Sequence, residues 1–165
     1  LGKAFSLFEQ ILGWRAATTA APGWTVSADS LEVQDALQLT YCSDSRGTAP
    51  FYPVMADRRF ATLQIPTTLP TMDELLGENG ITTATINDHY LDRIRPGLNV
   101  HTIHAELEGK AMATTFVDLL ARLRQREARF VTLAEVAAEY GASAPDAPLA
   151  MGELPGRAGQ VAIQG

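Results

Sequence analysis

Thr102-Ile103-His104-Ala105-Glu106 decides how this chain is read, together with Gln64-Ile65-Pro66-Thr67-Thr68-Leu69-Pro70-Thr71-Met72-Asp73-Glu74 and Tyr41-Cys42-Ser43-Asp44-Ser45-Arg46-Gly47. Each is a short apolar or β-branched run that stops at a polar cluster. A buried parallel strand ends in this way when it delivers reactive groups to a pocket. Outward from these stretches, strand-like and helix-like segments alternate about four times, which predicts an α/β fold with a parallel sheet, open or rolled into a barrel.

Apolar spacing and end signals locate the elements. Ala4, Phe5, Phe8, Ile11 and Leu12 recur at helical spacing and Gly13 follows them as a stop, so a first helix is expected over about residues 3–12. The residues from Arg15 to Ala20 read as a strand, broken by Ala21-Pro22-Gly23-Trp24. Asp29 and Glu32 resemble a capping box for a second helix, and Leu39 to Cys42 reads as the strand closing a β-α-β unit. Phe60 to Ile65 is the next strand, and Thr71 with Glu74 opens a short helix that Gly77 ends.

Farther on, helices are expected from Asn87 to Ile94 and over about 114–127, with Phe116, Leu119, Leu120 and Leu123 at core spacing. Leu98 to His104 lies between them and reads as the central strand. Phe130 and Val131 form a brief strand, and Thr132 and Glu135 cap a last helix that Gly141 stops. Residues 1–141 are therefore read as a catalytic-type domain. Residues 142–165, rich in Ala, Pro and Gly, are read as an extended coat or flexible tail.

The composition, 46% hydrophobic and 19% charged, is that of an ordinary globular chain, and 165 residues suffice for a real core. A net charge of -6 without clustered Lys and Arg argues against nucleic-acid binding. The single Cys42 can form no internal disulfide, so a reducing compartment is the default. No run approaches a membrane span. The chain opens on Leu1 with a helix already under way by Lys3, which leads us to expect the later part of something longer.

His89, in Asn87-Asp88-His89-Tyr90, reads as an exposed helix residue. His101 and His104 stand three apart on the expected strand, and alternation puts them on opposite faces. His104 ends that strand, either as a proton-transfer group at the site or as a core histidine. Asp73 and Asp44 are its candidate carboxylate partners. Each also has a purely structural explanation: Asp73 sits in the first turn of a helix, and Asp44 with Gly47 resembles a turn. No His-x-x-x-His metal segment, nucleophile elbow or phosphate loop occurs.

The series Ala-Ala-Pro-Gly-Trp at 20–24, Tyr-Cys-Ser-Asp-Ser-Arg-Gly at 41–47, Gln-Ile-Pro-Thr-Thr-Leu-Pro-Thr-Met-Asp-Glu at 64–74, Thr-Ile-His-Ala-Glu-Leu-Glu-Gly at 102–109 and Phe-Val-Asp-Leu-Leu at 116–120 resembles the later half of the polysaccharide deacetylase (NodB-like) superfamily. The likeness leans to its deformylase branch, which acts on a lipid-linked formamido-arabinose in lipid A modification. The resemblance implies a partial (β/α) barrel and metal-dependent hydrolysis of an N-acyl group, formyl or acetyl, on an amino sugar. It implies His104 as general acid and Asp73 as the group that orients it. Asp44, Arg46, Thr67, Leu69, Thr71 and Glu106 would line the sugar site.

The divalent metal (Zn, Mn or Co) would be held by one Asp and two His that precede Leu1, so this chain would supply no ligand and would be inactive alone. The implied partners are the lipid-linked sugar, the missing N-terminal half of the domain, and peripheral contact with a membrane. The implied location is the cytoplasmic face of the bacterial inner membrane, or the cytoplasm. Thr25 stands where close relatives carry Arg, which leaves a non-catalytic glycan-binding module as the reading from another class. A deacetylase of a different N-acetylated glycan is the alternative within the class.

Overall fold

The computed structural model describes residues 1–165, with seven strands and six α-helices. The strands are β1 (Thr18–Thr19), β2 (Tyr41–Cys42), β3 (Tyr52–Met55), β4 (Arg58–Arg59), β5 (Leu63–Gln64), β6 (Asp146–Glu153) and β7 (Gln160–Gln164). The helices are α1 (Gly2–Leu12), α2 (Ala28–Ala36), α3 (Met72–Leu76), α4 (Ile86–Arg93), α5 (Ala113–Gln125) and α6 (Leu133–Tyr140), with a π-turn at Leu107–Ala111 before α5. Two compact units divide the chain. The first comprises Leu1–Pro66, Thr132–Glu153 and Gly159–Gly165; the second comprises Thr67–Val131 and Leu154–Ala158.

All the strands belong to the first unit. β1, β2 and β5 form a parallel sheet in that order, with Thr18 opposite Tyr41 and Tyr41 opposite Leu63. β1, α2 and β2 make the expected β-α-β unit. The Asp35 carboxylate at the end of α2 accepts from the Ala61 and Thr62 amides and from the Thr62 hydroxyl at 2.8 to 3.0 Å, which ties the helix to the approach of β5. The cap of α2 differs from expectation. Ser27 and Ser30 exchange the capping-box bonds at 3.0 and 3.2 Å, because a short hydroxyl side chain already precedes Asp29 in extended backbone.

A second sheet has the order β4-β3-β6-β7. β3 and β4 form a hairpin whose two connecting residues, Ala56 and Asp57, both take positive φ (51° and 59°). That turn lacks the Asn-Gly signal that would have announced it. The stretch expected as a coat or flexible tail instead holds β6, which pairs parallel with β3 and antiparallel with β7. Ala147, Leu149 and Ala162 are buried with Phe51 and Phe60, so cross-strand burial makes a strand of β6, whose Ala, Pro and Gly have little intrinsic preference for one. Gly47 is pressed against this hairpin: a Cβ there would stand 2.7 Å from the Gln164 Cβ.

The second unit is helical. Leu69, Met72, Leu75, Ile81, Ile86, Tyr90, Met112 and Leu119 form its core. Leu98 to His104, expected as the central strand, carries no strand. The Val100 carbonyl accepts from both the Thr68 and Leu69 amides (3.0 and 3.1 Å), and the Val100 N–H donates to the Thr68 hydroxyl (2.8 Å). A side chain thus takes the place of a ladder bond, and Pro66 and Pro70 remove donors on either side of the facing segment. Phe130 and Val131 likewise form no strand, and Phe130 is exposed.

Candidate active site

In the second unit, two short segments bring His104 and Asp73 together. Asp73 lies in the first turn of α3, which Thr71 heads by donating its N–H to Glu74 at 3.0 Å. His104 ends the irregular segment, where the Thr102 hydroxyl meets that of Thr67 at 2.7 Å. The His104 Nδ1 stands 3.8 Å from an Asp73 carboxylate oxygen, with side chains 39% and 56% exposed. That distance is beyond a direct hydrogen bond, and Nδ1 is buried with no partner. The ring therefore turns one nitrogen inward toward a carboxylate while the remainder keeps access to solvent.

The main chain of His104 is held on both sides. Its N–H donates to the Glu108 carboxylate at 2.7 Å, and its carbonyl accepts from the Leu107 and Glu108 amides at 2.9 Å. Glu108 is 3% exposed. It lies in the π-turn, which Met112 closes by donating its N–H to the Leu107 carbonyl at 2.7 Å.

His101 sits beside this pair in a different role. The Tyr90 hydroxyl donates to the Pro70 carbonyl (3.1 Å), so its oxygen must accept from His101 Nε2–H (3.0 Å), which fixes the tautomer. The ring packs 4.7 Å from that of Tyr90 and 6.3 Å from that of Phe116. Burial, reinforced by the nearby His104, lowers its pKa to about 4. His101 is thus a neutral, hydrogen-bonded core histidine. Because no strand forms over 98–104, alternation does not set His101 and His104 on opposite faces.

Asp44 and Arg46 belong to the first unit, after β2. Asp44 is fully buried and accepts from the Ala21 N–H (2.5 Å), the Gln34 amide (2.6 Å) and the Gln64 amide (3.4 Å), while its own N–H donates to Gln64 (3.2 Å). Burial raises its pKa, and these donors act against the rise. Burial and the adjacent Asp44 charge push the Cys42 thiol far up, so Cys42 is packed and unreactive. The Arg46 backbone bridges to Ala162 and Gln164 of the second sheet, and its guanidinium lies 4.7 Å from the Trp24 ring centre. Trp24 holds a positive φ of 52°, a strain that this stacking helps to offset.

Of the other residues expected to line a sugar site, Thr67, Leu69 and Thr71 are 1%, 5% and 0% exposed, and Glu106 is exposed. Sequence reasoning missed Glu108, whose four-residue offset from His104 was the available signal, and the glutamines Gln34 and Gln64 that enclose Asp44. No three His, Cys, Asp or Glu side chains cluster to hold a metal ion. No helix is long and apolar enough to cross a membrane.

No protein-family profile matches the sequence. Relatives and a solved structure nevertheless place it. A Shewanella sediminis protein named for the 4-deoxy-4-formamido-L-arabinose-phosphoundecaprenol deformylase ArnD is 34% identical over 137 residues, 82% of this chain and 44% of that protein. A Wigglesworthia glossinidia brevipalpis protein of the same name is 30% identical over 167 residues, 99% of this chain and 57% of that protein. A crystal structure from Mycobacterium smegmatis, assigned as a polysaccharide deacetylase, superposes with TM-score 0.66 and 16% identity, covering 93% of this chain and 59% of that one. The chain has the α/β fold of that polysaccharide deacetylase structure, a partial barrel. By sequence it is similar to the ArnD-named deformylases, and it spans about half the length of these curated relatives.

Proposed function

We propose that this chain forms the later part of an enzyme that hydrolyses the N-acyl group of an amino sugar, and that its substrate is 4-deoxy-4-formamido-L-arabinose carried on undecaprenyl phosphate. The observation that carries the reading is the 34% identity to a protein named for that deformylase. The His104–Asp73 pair supports it chemically. In amide hydrolysis water adds to the acyl carbon and the C–N bond breaks, giving formate and the free amine. The departing nitrogen needs a proton, because an amide anion is a very poor leaving group. A partly exposed imidazole, with one nitrogen directed at a carboxylate, can supply that proton.

The chemistry that a divalent metal would supply to such an enzyme is polarisation of the acyl carbonyl. We propose that the metal's ligands come from the part of the relatives that this chain does not span. The substrate's lipid carrier suggests action at the cytoplasmic face of the inner membrane. Formate release by the complete, metal-loaded gene product tests the reading. The lipid-linked formamido sugar should be cleaved faster than short N-acetyl sugars, and the 165-residue chain alone should cleave neither. Preference for the soluble acetyl sugars would overturn the substrate assignment.

A further inference from the structure

Glu108 is buried at 3% exposure, and the bond that ties one of its oxygens down is the 2.7 Å contact accepted from the His104 N–H. Its other oxygen, Oε1, is buried without a partner. Removing a carboxylate from water costs several kcal/mol, and an unsatisfied buried oxygen adds to that cost. An apolar side chain would serve packing better, so stability does not account for this residue.

Geometry offers a use for it. The π-turn widens the chain at Leu107–Ala111, and within it the Glu108 side chain folds back four residues to the His104 amide. The same two residues, Leu107 and Glu108, donate their amides to the His104 carbonyl at 2.9 Å. Two residues upstream, the hydroxyl contact between Thr102 and Thr67 holds the approach. The peptide groups on both sides of His104 are therefore fixed, and only side-chain rotation remains to set the ring against Asp73. π-turns recur at functional sites, where they re-aim side chains in this manner.

We infer that Glu108 is a positioning residue, whose carboxylate locks the His104 main chain so that the imidazole is preorganised for proton donation; this rests on the role proposed above for His104. Orientation of this kind is worth about 10- to 100-fold in rate.

The test uses the complete metal-loaded gene product and the lipid-linked formamido-arabinose. Glu108→Ala should lower kcat by about 10- to 100-fold with KM within about twofold. Glu108→Gln, whose amide oxygen can still accept from the His104 N–H, should stay within about threefold of the parent. The Glu108→Ala, His104→Ala double variant should be no slower than His104→Ala, because nothing is left to position. If Glu108→Ala does not fold, Glu108→Asp keeps the charge but shortens its reach, and the same fall in kcat is expected. Parental kcat in the Ala or Asp variant, or losses that multiply in the double variant, would overturn the inference. A slow His104→Ala beside a normal Glu108→Ala defeats this inference alone. A normal His104→Ala defeats the proton-donor reading and this inference with it.

Discussion

Asp44 in the first unit and Asp73 in the second are both carboxylates near a segment end, and the chain treats them in opposite ways. Asp44 is fully buried, with both oxygens engaged by Ala21, Gln34 and Gln64. Asp73 is 56% exposed and stands 3.8 Å from an imidazole nitrogen that has no other partner. A carboxylate enclosed by donors fixes the chain around it, whereas one left partly in water can respond to a change of charge beside it. The same residue type thus serves architecture in the first unit and, in the function proposed above, chemistry in the second; solvent access separates the two settings.

The largest effect expected from this contrast is on stability. Asp44→Ala leaves the Ala21 N–H and two buried glutamine amides without their acceptor, and should cost about 3–5 kcal/mol in urea unfolding. A loss near 1 kcal/mol would mean that the cage is slack.

A second effect of similar size concerns pH. His101 titrates near 4 in the native chain against an ordinary 6.5, so between those values the unfolded chain binds a proton that the native chain does not. Its contribution is present above pH 6.5 and is lost as the pH falls toward 4, by on the order of 3 kcal/mol. Asp44, with its raised pKa, works in the other direction: from an ordinary 3.8 upward, its burial costs stability as the pH rises. Urea midpoints between pH 4.5 and 7 should therefore fall less on acidification in His101→Phe than in the parent. Equal slopes would show that His101 is not held neutral.

The smallest effect sharpens the other side of the comparison. Because the pair is exposed and 3.8 Å apart, Asp73→Asn removes an interaction of about 0.2–1 kcal/mol, and should slow turnover of the complete gene product only about two- to fivefold. A far greater loss in steady-state kinetics would place Asp73 in direct contact with the reacting groups.

Helix ends were legible in the sequence because local chemistry fixes them. Gly13 takes φ 74° at the end of α1, and Thr132 with Glu135 caps α6 as read. β1, β2 and β5 were legible as apolar runs, though each is shorter than its run. What escaped depended on distant pairing. β6 is a strand because it pairs with β3 and β7 and buries the alternate residues Ala147 and Leu149 with Phe51 and Phe60, not because Ala, Pro and Gly favour strands. Leu98 to His104 has strand-like composition, yet Thr68 supplies a side-chain bond where a ladder needs backbone. The proximity of His104 and Asp73 was expected, through a strand that does not form. Only its four-residue offset from His104 distinguishes Glu108 from the exposed Glu106 in the sequence, and the burial that sets it apart comes from tertiary packing.

The central claim is that His104 belongs to chemistry rather than to packing, and His104→Ala in the complete metal-loaded gene product tests it most directly. With its ring 39% exposed, the substitution should leave the thermal midpoint nearly unchanged while formate release from the lipid-linked sugar falls by about 100-fold or more. Turnover at the parental rate, or a collapse of stability that accounts for the loss, would contradict it.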